Sequence, residues 1–551
     1  MSMYKIKENS MRLSVYKFGL YISVLCFFVL SCTKTAEQFG EPYPEGKAPL
    51  GITIDRAQIP SPATGSPGTT VTIAAKGLLP YKDQLVFRFN GEEGQISEVT
   101  EDGISVVVPD FASTGITSLS VGDIITFGPE FTVNGKIKVD PTFTATQGTN
   151  NAVGQLYFTE DDKMIVIGGF TNYNNKGVVR PINRIARAFL DGTYDAGLRS
   201  GLGANGYLSA IVQINNKFYL GGTFSGYAQQ GSNISNLTML NTNGSIDTMG
   251  IHTWRRPDQA DTIQYFPRFN AGFHGGSVYR IYNQDNKLLV TGSFRYFVTR
   301  QYDKPNKLET RDTIIIDSTE VRQIARLNLD GTLDKTYRFN ENTNKSLTGG
   351  NGSTDTYYHN EGTLKGKMLV FGNFNQFDGQ AAGYILRLNA DGSIDPNFNA
   401  GGEGFDYQVA WASYNTQTHK YVICGNFRTY NGQSKQYMAM LNEDGSLDDT
   451  FEPRIIENGL PRFIKQLNNG LIVVGGYFTK YDGKVRNRFM ILNPDGSLAA
   501  GYNAVGSVIG DIYDVYETRS EDNKPALWII GDFSQFDGQD VYNITRVLIE
   551  E

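Results

Sequence analysis

The sequence predicts an all-β protein, a small β-sandwich followed by a seven-bladed β-propeller, and three observations carry that prediction. A Gly-X-Phe-X-X-aromatic motif recurs seven times, on Phe170, Phe224, Phe294, Phe374, Phe427, Phe478 and Phe533. Uninterrupted, one unit takes about 51 to 55 residues of strand-length apolar runs with no helical period, which points to one four-stranded blade per repeat. Ahead of the repeats, short alternating runs lie between turn residues at regular spacing, as in a sandwich.

The 551 residues carry a net charge of −7, and no Lys/Arg cluster is interleaved with aromatics, so nucleic acid is not an expected partner. Residues 1–31 read as a signal peptide rather than fold. Lys5, Lys7, Arg12 and Lys17 precede an apolar run from Phe18 to Leu30, too short to span a bilayer as a helix. The run ends Val29-Leu30-Ser31-Cys32, which resembles a bacterial lipobox, although Leu30 is bulkier than the usual residue at its position. The resemblance implies a lipidated Cys32 at the start of the mature chain. No later apolar run is long enough to cross a membrane, so lipid is the only expected membrane attachment. Residues 32–50 are polar and proline-bearing and read as a tether. Cys424 is left as a buried thiol inside an apolar run, and no disulfide is expected.

Residues 51–135 form the expected small β-domain, with runs at Thr70 to Ala74, Leu85 to Asn90, Ile104 to Val108 and Ile116 to Val121. The strings Gly65-Ser-Pro-Gly-Thr-Thr-Val-Thr-Ile, Phe87-Arg-Phe-Asn-Gly91 and Val106-Val-Val-Pro109 resemble the IPT/TIG family of Ig-like domains, departing from it at Ala74-Ala75. That resemblance implies a spacer or a glycan- or protein-contacting module; with no aromatic cluster in the segment, the spacer is favoured.

Residues 136–551 form the expected propeller. In each repeat an apolar run such as Met368–Phe371 leads to the Gly, which allows close backbone approach. Turns such as Asp378-Gly379 and Asp391-Gly392 bracket the next strand. The last repeat lacks its DGSLDxxF tail, and Val139-Asp140-Pro141-Thr142-Phe143 matches that tail, so a strand near 140–146 is expected to close the final blade. The strings GNFNQFDGQ and RLNADGSIDPNF resemble an uncharacterised propeller repeat of Bacteroidetes lipoproteins. The resemblance implies a cell-envelope address and, since such lipoproteins are often encoded beside outer-membrane glycan importers, a polysaccharide or importer proteins as partners.

Catalytic signals are sparse. His252, His274, His359 and His419 lie outside metal-ligand spacing of one another, and no HExxH, CxxC or G-x-S-x-G occurs. No metal, cofactor or catalytic residue is therefore assigned. The paired acids of each turn, such as Asp391 and Asp395, could serve as Ca²⁺ ligands or a glycosidase pair. Their recurrence in the repeats favours a structural role, the first in its turn and the second capping the next strand. Insertions cluster in the middle of the ring: about 15 extra residues before Phe294, about 19 within Arg300 to Glu320, and an enlarged connector before Phe374. Trp254, Arg255, Tyr265, Tyr357 and Tyr358 are the candidate ligand-binding residues, with Asp258 as a further hydrogen-bonding side chain, because Trp and Tyr rings stack on sugars; for Trp254 the favoured alternative is that it plugs its own insertion onto the propeller flank. Trp411 and Trp528 lie on strand patterns and are expected in the core. The function expected is non-catalytic binding of a glycan, or of a partner in a glycan-uptake system, by an outer-membrane lipoprotein whose membrane face is open. A carboxylate-dependent glycoside hydrolase or lyase and a structural scaffold are the alternatives.

Overall fold

The computed structural model describes residues 50–254, 260, 262–302 and 314–550. The expected signal peptide, Cys32, nearly all of the tether, Arg255 and Asp258 lie outside them. The chain divides into two compact units, and nearly all described residues belong to the second, Thr53–Glu551.

Among its described residues this unit is all-β apart from one short 3₁₀ turn at Leu79–Gln84. Its first eight strands are β1 (Thr53–Ile54), β2 (Thr64–Gly65), β3 (Thr70–Lys76), β4 (Leu85–Phe89), β5 (Glu92–Val99), β6 (Gly103–Val107), β7 (Gly115–Val121) and β8 (Ile124–Val133). They join in one continuous sheet, ordered β1-β3-β6-β5-β4-β7-β8-β2, a half-barrel. The period-two pattern read from the sequence is its cause: Val71, Ile73 and Ala75 of β3 point inward with Phe87 and Phe89 of β4. Asn90 and Gly91 both have positive φ, which makes the tight turn between β4 and β5.

The half-barrel is no free-standing spacer. Thr114 N donates to Ala504 O at 2.9 Å, Val485 N to Glu92 Oε1 at 2.8 Å, and Arg486 Nη1 to Phe111 O at 3.2 Å. Lys484 adds an ion pair with Glu92 at 3.3 Å.

The repeats form propeller-like antiparallel sheets. Seven of them follow in chain order, with innermost strands Val153–Phe158, Tyr207–Ile214, Val278–Gln284, Ser353–Tyr358, Val409–Asn415, Pro461–Gln466 and Ile509–Arg519. Apolar clusters fill the space between neighbouring sheets. One joins the seventh sheet to the first, packing Trp528, Ile530 and Ile544 on Val153, Leu156 and Val166.

Six of these sheets have three strands rather than four. After each Asp-Gly-type turn the chain folds back for a single bridge, such as Leu388↔Ile394, and Asp395 N then bonds Arg387 O at 2.8 Å. The seventh gains a fourth strand from β9 (Ile137–Val139), whose residues pair with Ile549 to Val547. This strand lies just ahead of the 140–146 stretch expected to supply it. Asp140 turns the chain there: its N bonds Arg546 O at 2.8 Å and its carboxylate takes Arg546 Nε at 2.6 Å.

The insertions add hairpins outside the seven sheets. Thr248–Thr253 pairs with Thr262–Pro267, and Tyr296–Gln301 pairs with both Ala271–His274 and Ile315–Glu320.

Candidate functional site: a channel lined by the innermost strands

The repeated Gly shapes the channel wall. In six of the seven sheets it pairs with the innermost strand where the register shifts by one residue, as between Leu208 and Ala210, Val278 and Arg280, Pro461 and Phe463, and Ile512 and Asp514. A Cβ on Gly222, Gly292, Gly425 or Gly476 would overlap the backbone carbonyl oxygen of the first residue of that strand or of the residue just before it. The extra residue of a bulge re-aims side chains. Gly154, Ser209, Tyr279, Arg462 and Tyr513, the residues in five of these bulges, all line one cavity of about 500 Å³.

A second cavity of about 520 Å³ is lined by the C-terminal halves of the same strands and includes Tyr157, Tyr282, Tyr357, Tyr358, Tyr414 and Tyr516. Arg280, Trp411 and Asp514 belong to the walls of both, which makes them the waist between two ends. Arg280 donates to Asp355 from Nε at 3.2 Å and Nη2 at 3.0 Å, and its Cζ lies 5.2 Å from the Trp411 ring centroid. Lys465 Nζ donates to Asp514 Oδ1 at 2.8 Å and to Val515 O at 2.6 Å. Burial works against the Arg280 charge, but the Asp355 carboxylate outweighs it and holds the guanidinium protonated.

Burial pushes the Tyr357 and Tyr513 hydroxyls up to about 12, so both stay neutral donors at ordinary pH. Tyr477 Oη donates to Asp511 Oδ2 at 2.5 Å, and that bond raises its pKa. At the second cavity Tyr414 Oη donates to Glu443, whose Oε1 also lies 2.9 Å from His419 Nδ1. His359 is buried, hydrogen-bonded to Tyr421 Oη at 2.8 Å, and pushed down to about 3 by burial and the Arg387 charge, which keeps it neutral. Among the described residues, no group of three His, Cys, Asp or Glu is placed to hold a metal ion.

The expected site residues separate. Tyr357 and Tyr358 are not in an enlarged loop but on the innermost strand Ser353–Tyr358, at the second cavity, with Tyr358 stacked on Tyr282 at 5.3 Å. Trp254 follows the first strand of the inserted hairpin and is half-buried, while Tyr265 on its second strand is 64% exposed. Neither lines either cavity. Trp528 is core as expected, but Trp411 is only part-buried and faces the waist, because its strand bulges next to it. Arg280, Asp355, Asp511, Asp514 and the bulge residues escaped the sequence reading, which aligned the copies on what they share. The usable signal was the reverse: charged and aromatic residues that break the apolar pattern of each copy's first strand.

The paired acids of the turns have structural partners. Asp391 Oδ1 accepts Ser393 N at 2.9 Å within its own turn. Asp395, expected to cap the next strand, instead takes Arg387 Nε at 2.8 Å and Lys367 Nζ at 2.7 Å.

Residues 366–398, 420–451 and 467–498 match the model described as "Domain of unknown function (DUF5122) beta-propeller", and residues 28–129 match a second domain of unknown function, DUF5008. No curated protein matches the sequence. Among solved structures, the WD40 beta propeller domain of Doa1 is similar at 14% identity, TM-score 0.39, over 75% of this chain and 97% of that one. A structural genomics protein of unknown function from Bacteroides thetaiotaomicron aligns at 12% identity, TM-score 0.29, over 90% of this chain and 100% of that one. An auxiliary nutrient binding protein from the same organism aligns at 12% identity, TM-score 0.29, over 90% and 99%. At these scores no ligand or role of a neighbour carries over. Three stretches of the repeat region are thus similar to DUF5122 propeller repeats, and the segment ahead of the repeats is similar to DUF5008.

Proposed function

We propose that this is a non-catalytic, outer-membrane lipoprotein, lipidated at Cys32, that binds a saccharide in the central channel. We read the half-barrel as a variant of the Ig-like sandwich and the seven repeat sheets as a closed seven-bladed ring, for which the packing of the seventh sheet on the first speaks. The observation that carries the function is the channel lining: Trp411 with tyrosines from several innermost strands, beside charges already paired. Aromatic faces stack on sugar rings, and tyrosine and amide groups meet hydroxyls.

Against the hydrolase or lyase alternative, the channel carboxylates are each engaged: Asp355 with Arg280, Asp514 with Lys465, and Asp511 with Tyr477. A glycosidase acid must hold a transferable proton, which such pairing opposes.

Calorimetric titration against a panel of neutral and acidic glycans tests the reading. Binding is expected, and Trp411→Ala should abolish it, whereas Trp254→Ala and Tyr265→Ala test the inserted hairpin as a separate contact. Product release from any glycan would turn the reading to an enzyme. A blank panel with envelope proteins in pull-downs would turn it to a scaffold. Cys32→Ala is expected to release the protein from membranes.

A further inference from the structure

Of the six innermost strands that bulge, five have an uncharged bulge residue: Gly154, Ser209, Tyr279, Ala410 and Tyr513. The sixth is Arg462, between Pro461, which pairs with Gly476, and Phe463. A residue displaced by the bulge needs no fixed type, because the repeated Gly and the backbone facing it make the contact. In this one sheet the free position puts a cation in the wall of the first cavity.

Among the described residues, Arg462 is also the one charged side chain lining either cavity that has no oppositely charged partner. The others are matched: Arg280 with Asp355 at 3.0 Å, Asp514 with Lys465 at 2.8 Å, and Asp511 with Arg488 at 3.8 Å. Arg462 is exposed, and its Cζ lies 5.6 Å from the centroid of the Tyr477 ring, against which Arg488 also lies at 5.0 Å. That ring is itself held by the Tyr477–Asp511 hydrogen bond. The exposed Asp532 carboxylate bears on Tyr207 and Tyr513, whereas the Arg462 and Arg488 charges bear on Tyr477, so the positive end of the cavity is at Tyr477.

Resting on the saccharide reading, we propose that the saccharide is anionic and that Arg462 pairs with its carboxylate or sulfate. The planar guanidinium offers parallel N–H donors that fit two oxygens of either group. In a concave wall the field of one unmatched charge reaches further into the ligand's space than it would on an open surface. The guanidinium already rests on a fixed ring, so pairing costs it less side-chain freedom than a surface arginine would lose. The sugar that carries the anion then lies beside Tyr279 and Tyr477, both exposed at this cavity.

The test titrates the full-length protein with acidic oligosaccharides and with the same skeletons stripped of charge. Uronate oligosaccharides from galacturonan, alginate and glucuronoxylan are paired with their methyl esters, and sulfated galactan oligosaccharides with their desulfated forms. At least one acidic member is expected to bind on the order of tenfold more tightly than its neutral counterpart, and whether it is a uronate or a sulfate ester identifies the anion. That advantage should shrink as salt rises from about 50 mM to about 500 mM. It should disappear in Arg462→Gln and survive in part in Arg462→Lys, which keeps the charge but not the fork. Arg462 is exposed, so both variants are expected to keep the denaturant midpoint of the unmodified protein. Neutral forms bound as tightly as the acids would overturn the anionic ligand and leave the saccharide reading standing. An acid preference that persists in Arg462→Gln would overturn the role of Arg462. No binding by any glycan overturns both readings.

Discussion

Asp395 shows what one residue of the repeat does. It is 3% exposed, and Arg387 and Lys367 converge on it. The same arrangement recurs at Asp195 with Arg187 and Lys163, and at Asp334 with Arg326 and Lys287. Burial alone would raise the Asp395 pKa, but the hydrogen bonds from Lys367 and Arg387 bring it below its ordinary value. Asp195, Asp334 and Asp448 are lowered in the same way. A lowered carboxylate contributes stability that is complete above its unfolded pKa, about 3.8, and is lost as pH falls through the folded value. Denaturant midpoints are therefore expected to drop steeply below about pH 4. Asp395→Ala should cost about 3 kcal/mol at neutral pH, since it strands the buried Arg387. A second residue-scale device is the motif aromatic. Tyr430 Oη donates to Gly445 O at 2.5 Å, and where the motif has Phe377 instead, Arg338 Nη1 donates to Gly392 O at 2.9 Å from above that ring.

At the scale of the element, the bulge opposite the repeated Gly joins architecture to site. The innermost strand must bring a carbonyl against the next strand where the Gly stands, and the residue displaced by that close approach turns toward the channel. Gly425→Ala would drive a Cβ into Gln408 O without any backbone strain of its own. It is expected to cost on the order of 3 kcal/mol in chemical denaturation and to weaken ligand binding, because Trp411 lies in the paired segment. The motif Gly was legible because it recurs. The bulge residues were not, since Gly154, Ser209, Tyr279 and Arg462 are four different residue types, and only strand pairing reveals that they hold equivalent positions.

At the scale of the whole molecule, the half-barrel is bonded to the last two sheets. Asp537 lies at that junction, accepting from Gly506 N at 2.7 Å beside Thr114 of the half-barrel. Burial pushes it up to about 6. A raised acid binds its proton more tightly in the folded chain, so its contribution falls as pH rises from about 3.8 to about 6, opposite in sign to Asp395. Asp537→Asn keeps an acceptor and removes the buried charge. It is expected to stabilise the protein at pH 7 by about 1 kcal/mol, seen as a raised melting temperature that vanishes near pH 4. Calorimetry should show the half-barrel and the repeats melting in one transition.

The sequence by itself determined the all-β class, the repeat and its turns, and the structural use of the paired acids. Those features are short-range: alternation, Asp-Gly turns and apolar runs act over a few neighbouring residues and are written in adjacent letters. Only the tertiary structure decided where the channel lies and what lines it. Its walls bring together Gly154 and Asp514, with one short stretch from each intervening innermost strand. No spacing rule links residues so far apart, because what assembles them is the packing of sheet on sheet. The same packing moved Tyr357 and Tyr358 from an expected loop to a strand, and turned Trp411 from an expected core residue into part of the waist.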